Sequence, residues 1–534
     1  MGDDSQQLKL RAPVDDRRAL LSPSIDRLST MLAQNRQRLA SWTERLAGQT
    51  VSELRQIARR EIWTEAQQYT RQYRDVDLSH RSFETSPFIV TGHQPELFHP
   101  GVWFKNFLLD RIARQSDAVP IHLIIDNDVR ESASIKVPGG SVAEPITQIV
   151  EYDRRSPLPF EERLIQDPTL LDSFAQRVTE IIHPLIPDAL LSDRWLTAIQ
   201  EDAGESILAR RVARFRHRLE ADCGLQTLEI PMSIVCDQLP FQCLVAQAID
   251  DVEQIHRVYN EALREHRKRN RIRSNAHPVP NLNRDDSWYE LPFWIWTAQS
   301  PERQPLYVML GDGSLHIRQG CGANHWKLGN SAEQLVTQLV DLRQQGVKIR
   351  PRALLTTLYA RLFLSDLFLH GIGGAKYDEL TDELIRRWLR VEPPEILVAT
   401  STVRLPISYR RQDPARMAVL RQSLRRLDYH PEDFLEASDL GDRLGAQWLS
   451  QKQFWIRKEE PRGQRKQRHD HIVEANQNLR RLVMDQRTAV TSELEELQAW
   501  IPRQNLLDSR EYSFCLFPFD FLREVMIKCL PSGE

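Results

Sequence analysis

The segment FIVTGHQPELFHPGVWFKNFLLD, residues 88–110, decides the fold of this chain. Its first residues form a short apolar run of β type that ends at Thr91-Gly92. The residues after the turn place apolar side chains at helical spacing. The next run, VPIHLIIDND at 119–128, is a second apolar stretch that ends in acidic residues. Strand, turn, helix and buried strand predict a βαβ unit, and hence a parallel sheet with helices on its faces.

The rest of the chain predicts three regions around this unit. Residues 1–85 are polar with helical periodicity and form an N-terminal helical segment. Residues 86–410 form an α/β core with a helical insertion at about 151–225 and an antiparallel sub-sheet at about 285–320. Residues 411–534 are charged and helical, with apolar spacings typical of a helical hairpin or a coiled coil, and a C-terminal segment that docks back on the core.

Composition excludes several classes of protein. The 71 basic and 74 acidic residues nearly cancel to a net charge of −3, which argues against nucleic acid as a partner. No run approaches the roughly 18–20 apolar residues of a membrane helix, and the N-terminus lacks the apolar core of a secretory signal. The six cysteines form no CxxC pair and predict reduced thiols. We therefore expect a cytoplasmic protein with no membrane association.

The turn after the first strand carries the most informative polar residues. Thr91, Gly92, His93 and Gln94 stand where the chain leaves a strand, and ligands of parallel sheets sit at such strand ends. His99 begins the following helix, whose free N–H groups and dipole suit a phosphate or carboxylate. Further candidates for substrate contact on that helix are Lys105 and Asn106. The alternative is that His93 and Gln94 only satisfy buried backbone groups and that His99 caps the helix.

Two further strand ends offer polar groups. Asp126 and Asp128 follow the second strand and could hold a substrate amine, a ribose or a metal, although aspartates are also ordinary turn formers. A glycine-rich turn at Gly371–Asp378 offers Gly371, Gly373 and Tyr377, and such turns also simply connect elements. Three convergent ligands are not evident, so the sequence requires no metal. A nucleotide is possible as a cofactor, but no P-loop or Rossmann GxGxxG motif is present.

Three segments together resemble the bacillithiol synthase family, the cysteine-adding enzymes of bacillithiol biosynthesis. FIVTGHQPELFHPGVWFKNF at 88–107 resembles the family's TGQQ-type turn, VPIHLIIDND at 119–128 its following strand, and LFLHGIGGAKY at 367–377 its GGPGE-type turn. The cleanest correspondences are Gln94, Asp128 and Tyr377. His93 stands where the family has its first glutamine, and Gly374 where the family usually has an acidic residue.

The resemblance implies a Rossmann-like core, a helical arm used for homodimerisation, and condensation of cysteine with an amino-sugar malate conjugate. Our first hypothesis is therefore a ligase or transferase that joins a small amino or thiol compound to an anionic acceptor. In it His93 binds or polarises the anion, and Asp128 orients an amine or acts as a base. The alternatives are a non-catalytic nucleotide- or metabolite-binding protein and a dimeric scaffold that uses the helical arm.

Overall fold

The computed structural model describes residues 10–274, 276–311, 313–322, 324–329, 331–435, 443–458 and 465–531. The start of the predicted N-terminal segment, residues 1–9, lies outside these ranges. So do residues 436–442, 459–464 and 532–534 of the predicted arm.

The strands are named here in chain order. They are β1 (Arg18–Ser22), β2 (Arg45–Leu46), β3 (Gln49–Thr50), β4 (Phe88–His93), β5 (Val119–Ile124), β6 (Ala133–Gly140), β7 (Pro145–Asp153), β8 (Leu228–Pro231), β9 (Arg284–Asp285), β10 (Trp288–Thr297), β11 (Ser300–Gly311), β12 (Ser314–Gln319), β13 (His325–Leu328), β14 (Val347–Pro351), β15 (Leu367–His370) and β16 (Ile396–Thr402).

The α-helices are named in the same way. They are α1 (Leu28–Ala40), α2 (Val51–Arg71), α3 (Pro100–Gln115), α4 (Pro168–Asp172), α5 (Phe174–Ile182), α6 (Leu190–Glu201), α7 (Leu208–Asp222), α8 (Met232–Cys236), α9 (Leu239–Asp250), α10 (Val252–Arg269), α11 (Ala332–Gln344), α12 (Ala353–Tyr359), α13 (Ile372–Ala375), α14 (Asp378–Trp388), α15 (Ala415–Tyr429), α16 (Arg443–Arg457), α17 (Arg465–Leu482), α18 (Met484–Leu507) and α19 (Phe519–Cys529).

A six-stranded sheet with the order β1-β16-β15-β4-β5-β8 forms the centre of the first compact unit. The pairs from β16 to β8 are parallel, and β1 pairs antiparallel with β16 at the edge. In the central register Val90 lies opposite Ile121 on one side and Phe368 on the other. The predicted βαβ unit and the mixed α/β class are therefore confirmed.

Helix α3 connects β4 to β5 and begins where the sequence predicts. Pro100 occupies the first turn, where its missing N–H costs nothing, and His99 is the N-cap residue. The helix contacts β4, β5, β15 and β16. A Cβ atom at Gly101 would collide with the carbonyl oxygen of Ser401, so only glycine allows this close approach to β16.

The order of the strands has a consequence for ligand binding. From β4 the chain continues outward through β5 to β8 on one side, and β15 leads to β16 on the other side. The direction of winding thus reverses between β4 and β15. Ligands of open parallel sheets bind in the crevice at the carboxyl ends of the strands at such a switch point.

The N-terminal segment differs from the helical prediction. Helices α1 and α2 are present, but Arg18–Ser22 forms strand β1, which lies along β16 from Arg18 opposite Thr402 to Ser22 opposite Val398. Five residues are too short a run for periodicity to reveal an edge strand. The antiparallel sheet, with the order β13-β12-β11-β10-β14, extends to Pro351, beyond the predicted limit near 320.

The described chain divides into two compact units. The first contains the described residues within 1–137, 148–405 and 510–534, and the second contains those within 138–147 and 406–509. In the second unit α15 packs against α18 through Leu420, Leu494 and Leu497, and α16 packs against α17. The C-terminal stretch belongs to the first unit, where the Phe514 ring lies 4.8 Å from that of Trp103.

Two further observations concern the whole of the described chain. None of its helices combines the length and the apolar character that crossing a bilayer requires. All six cysteines are free thiols, as predicted.

Candidate functional site

Lys105 lies at the centre of the polar residues near the carboxyl ends of β4, β5 and β15. Its side chain is only 4 % exposed, and its Nζ donates a hydrogen bond of 2.9 Å to the carbonyl oxygen of Gly92. Burial lowers the pKa of Lys105 from 10.5 to about 8. In the described part of the chain this nitrogen forms no ion pair with a carboxylate, and burial alone accounts for the shift of its pKa. Lys105 is thus a buried cation whose own fold supplies no anion.

The charge of Lys105 affects the pKa of four histidines. They are His93 at the end of β4, His99 before α3, His122 in β5 and His370 at the end of β15. Burial is the main cause that lowers the pKa of each ring, to about 4 for His99 and about 3 for His370. The Lys105 ammonium is a further cause in all four cases. The rings are therefore neutral near pH 7.

The tautomer of His93 follows from its hydrogen bond. Nδ1 lies 3.1 Å from the carbonyl oxygen of Gln94, and because a carbonyl only accepts, Nδ1 must carry the proton. The other nitrogen, Nε2, is then an unprotonated acceptor. It is buried and has no partner among the described residues. The ring contacts His122 and Phe98, with centroid separations of 4.1 and 4.2 Å. His93 therefore presents a free base inside the protein.

The start of α3 does not form the predicted open anion cradle. The side chain of His99 accepts a hydrogen bond of 3.1 Å from Gly101 N, and the N–H groups of Val102 and Trp103 point to the His99 carbonyl. These bonds use the N–H groups that an anion would need. His99 is the cap of the helix, which is the alternative that the sequence left open.

Gly92 and Thr91 both have structural roles in the parallel sheet. A Cβ atom at Gly92 would lie 3.1 Å from Leu123, so the glycine makes room for strand β5, and not for a ligand. The buried hydroxyl of Thr91 donates a hydrogen bond of 2.9 Å to the carbonyl of Leu369 on β15. Asn106 donates to the buried carboxylate of Glu220 on α7 at 2.7 Å, which uses its amide within the fold.

The polar residues 126–128 after β5 divide into two groups. Asp126 is buried and accepts hydrogen bonds from the backbone N–H and hydroxyl of Ser233, and burial raises its pKa to about 7. Asn127 donates to the carbonyl of Pro351. These two residues fasten the end of β5 to neighbouring elements.

Asp128 forms the second group and is partly exposed. One carboxylate oxygen accepts from Gln94 Nε2 at 3.1 Å, and the other accepts from Arg303 Nη1 at 2.7 Å and from its neighbour's backbone N–H. The structure therefore brings the predicted site residues Gln94 and Asp128 into contact. Arg303 was not predicted, because it comes from β11, which is distant in sequence.

The glycine-rich turn positions a histidine that the sequence prediction missed. A Cβ atom at Gly374 would overlap the ring of His370, whereas Cβ atoms at Gly371 and Gly373 would meet only open space. His370 Nδ1 accepts from Gly371 N at 3.0 Å, so its protonated Nε2 faces Asp378 Oδ2 at 3.5 Å. Tyr377, at the end of the turn, is exposed. The sequence feature that could have identified His370 is its position directly before the GIGG motif at 371–374.

One buried cluster has the ligand types of a metal site. His217, Glu220 and Glu229 bring one ligand atom each within 4.8 Å of one another. The guanidinium of Arg216 forms ion pairs with both carboxylates, so they already have a cation. The donor set therefore fits a closed ion-pair network better than a metal ion.

Comparison with known proteins adds no relative to this picture. No family model matches the sequence, and no curated protein matches it either.

Proposed function

We propose that this protein is an enzyme that binds a small anionic compound at the carboxyl ends of β4, β5 and β15, with Lys105 as the partner of the anion. The buried ammonium of Lys105 carries this proposal. A buried cation without a counter-ion costs the fold free energy, and a bound carboxylate or phosphate would offset that cost.

His93 is the proposed general base. Its bare, buried Nε2 lacks a partner among the residues that the structure describes, and the ring is one of those that the charge of Lys105 affects. A base needs a nitrogen lone pair that can reach the proton of the attacking group. Asp128 is proposed to orient an amine of the substrate or to act as a base, because its carboxylate is partly exposed and is held in place by Gln94 and Arg303.

For the reaction we propose a ligase or transferase of bacillithiol synthase type, which joins a small amino or thiol compound to an anionic or amino-sugar acceptor. What supports this is that the three segments of resemblance, at 88–107, 119–128 and 367–377, run through the adjacent strands β5, β4 and β15. On the basis of the same resemblance we propose that the parallel sheet is a Rossmann-like core.

We further propose that helices α15–α18 are a coiled-coil arm through which two copies of the chain form a homodimer. Large apolar side chains on these helices are exposed, among them Val419, Phe454, Ile456 and Met484. Light scattering on a chain shortened within residues 440–505 tests this proposal. A shortened chain that remains dimeric would exclude the arm as the interface.

Anion binding is tested first, by thermal shift with inorganic phosphate, malate and acetate at constant ionic strength. The melting temperature of the wild type should rise with anion concentration, because the anion binds only the folded state. Lys105→Gln keeps an N–H for the Gly92 carbonyl but removes the charge, and it should abolish the shift. Lys136→Gln, at an exposed position, makes the same charge change and should preserve it. An equal shift in all three proteins would exclude Lys105 as the partner.

Catalysis is tested separately, by mass spectrometry of mixtures of cysteine with an amino-sugar malate conjugate. A product with the summed mass of both compounds less one water supports the ligase. His93→Gln should remove turnover and keep the thermal shift. Anion binding without any product would instead favour the non-catalytic binding protein.

A further inference from the structure

A network of buried polar side chains lies beside the site, between β5, β8 and α7. At its centre is the carboxylate of Glu229, which is completely buried. Arg216 forms an ion pair with one of its oxygens, and the Tyr73 hydroxyl donates to the other at 3.0 Å. The Tyr73 oxygen in turn lies 3.0 Å from His217 Nδ1. Glu229 is therefore held from several sides and its orientation is fixed.

Glu229 also faces His122, the histidine of β5. The Nδ1 atom of His122 lies 2.8 Å from Glu229 Oε1, although the ring is turned away from the ideal direction of a hydrogen bond. An ionised carboxylate only accepts hydrogen bonds, so it favours the tautomer of His122 that carries its proton on Nδ1. Nε2 of His122 is then bare, and it is buried without a partner among the described residues.

The two rings His93 and His122 thus form a pair. Their centroids are 4.1 Å apart, and each ring contributes one bare, buried Nε2. The charges around the pair nearly balance, since Arg74 and Arg216 face Glu220 and Glu229. Burial, followed by Arg216 and Lys105, keeps the pKa of His122 low, so the ring is neutral at rest. An anion bound to Lys105 would offset one of those positive charges and make the pair more basic.

We propose that Glu229 is a positioning residue that fixes His122 in its Nδ1–H tautomer, so that His122 Nε2 is a second proton acceptor beside His93. The proposal rests on the proposed function, in which His93 takes a proton from the attacking N–H or S–H group. His93 then passes this proton to His122 Nε2, and the resulting imidazolium faces the Glu229 carboxylate through its Nδ1–H group. One proton moves and no other bond changes. The relation of carboxylate to imidazole is the one that orients the base in hydrolase triads.

The test is the tautomer of His122 in the ligand-free full chain, measured by long-range ¹H–¹⁵N NMR of protein labelled with ¹⁵N-histidine. His122→Gln assigns the signal. At pH 7 we expect one tautomer with the proton on Nδ1 in the wild type. In Glu229→Gln the amide can present its NH₂ group to the ring, so the single tautomer should be lost. A histidine that only fills space would keep its tautomer.

A wild-type His122 protonated on Nε2, or on both nitrogens at pH 7, overturns the proposal, and this result needs no variant to fold. An unchanged tautomer in folded Glu229→Gln overturns it as well. If Glu229→Gln does not fold, the wild-type spectrum decides alone: a proton on Nδ1 of His122 supports the role of Glu229, and a proton on Nε2 contradicts it. Failure of the proposed function has a different signature, namely loss of the Lys105-dependent thermal shift while the tautomer is as expected.

Discussion

Replacing Lys105 by methionine tests the energetics of the site without any ligand. The pKa of Lys105 falls from 10.5 to about 8 through burial. At about 1.4 kcal/mol for each pKa unit, the charged side chain costs the fold about 3 kcal/mol below pH 8. Methionine has similar length and no charge, but it leaves the Gly92 carbonyl without its donor, at a cost of about 1–2 kcal/mol. We expect Lys105→Met to be more stable than the wild type by about 1–2 kcal/mol at pH 7.

The sign of the pH dependence is part of the same prediction. The pKa of Lys105 is lower in the folded than in the unfolded chain, so the unfolded chain binds more protons between pH 8 and 10.5. The wild-type free energy of unfolding must therefore rise with pH in this window relative to the variant. The advantage of Lys105→Met should shrink from pH 8 upward and become a disadvantage near pH 10.5.

Urea unfolding, followed by tryptophan fluorescence at pH 7 and pH 10, measures the difference between the two proteins. Other groups that titrate in this range contribute equally to both and cancel. A variant that is less stable than the wild type by the same amount at both pH values would refute the claim that Lys105 is a buried cation without a counter-ion.

The remaining predictions concern three other positions. Gly374→Ala should displace the ring of His370 and destabilise the protein by about 1–3 kcal/mol, whereas Gly373→Ala, which meets open space, should leave the melting temperature unchanged. Asp366→Asn should cost about 3–5 kcal/mol in urea unfolding, because two largely buried arginines would lose their buried carboxylate; a cost below 1 kcal/mol would contradict this. Asp128→Asn should lower stability by less than about 1 kcal/mol and preserve the phosphate-induced thermal shift, since its ion pair is partly exposed.

The sequence predicted the centre of the fold well because periodicity and turn chemistry agree there. The apolar run before Thr91, the helical stripe after Pro100 and the run at 119–125 each follow one simple pattern, and together they specify β4, α3 and β5. Lys105 and His93 were also chosen from the sequence, since polar residues near strand ends are candidates for binding.

The rest of the site depends on contacts that periodicity does not encode. Gly92 is required by the side chain of Leu123, and Asn106 by Glu220, which lies 114 residues away. By sequence pattern His122 is only one member of an apolar strand, because its partner Glu229 belongs to a strand that pairs with β5 only after a long helical insertion. The role of a side chain that depends on partners distant in sequence cannot be predicted from local sequence patterns.

The lowered pKa of Lys105 permits one direct test of the central claim, which is that Lys105 binds an anion. At pH 9 a lysine with a pKa of about 8 is only about one tenth protonated, and a bound anion would restore its proton. Titration calorimetry with inorganic phosphate, in two buffers of different ionisation enthalpy, counts the protons taken up on binding. We predict an uptake close to one proton for the wild type and none for Lys105→Met. Binding without proton uptake, or equal uptake by the two proteins, would contradict the claim.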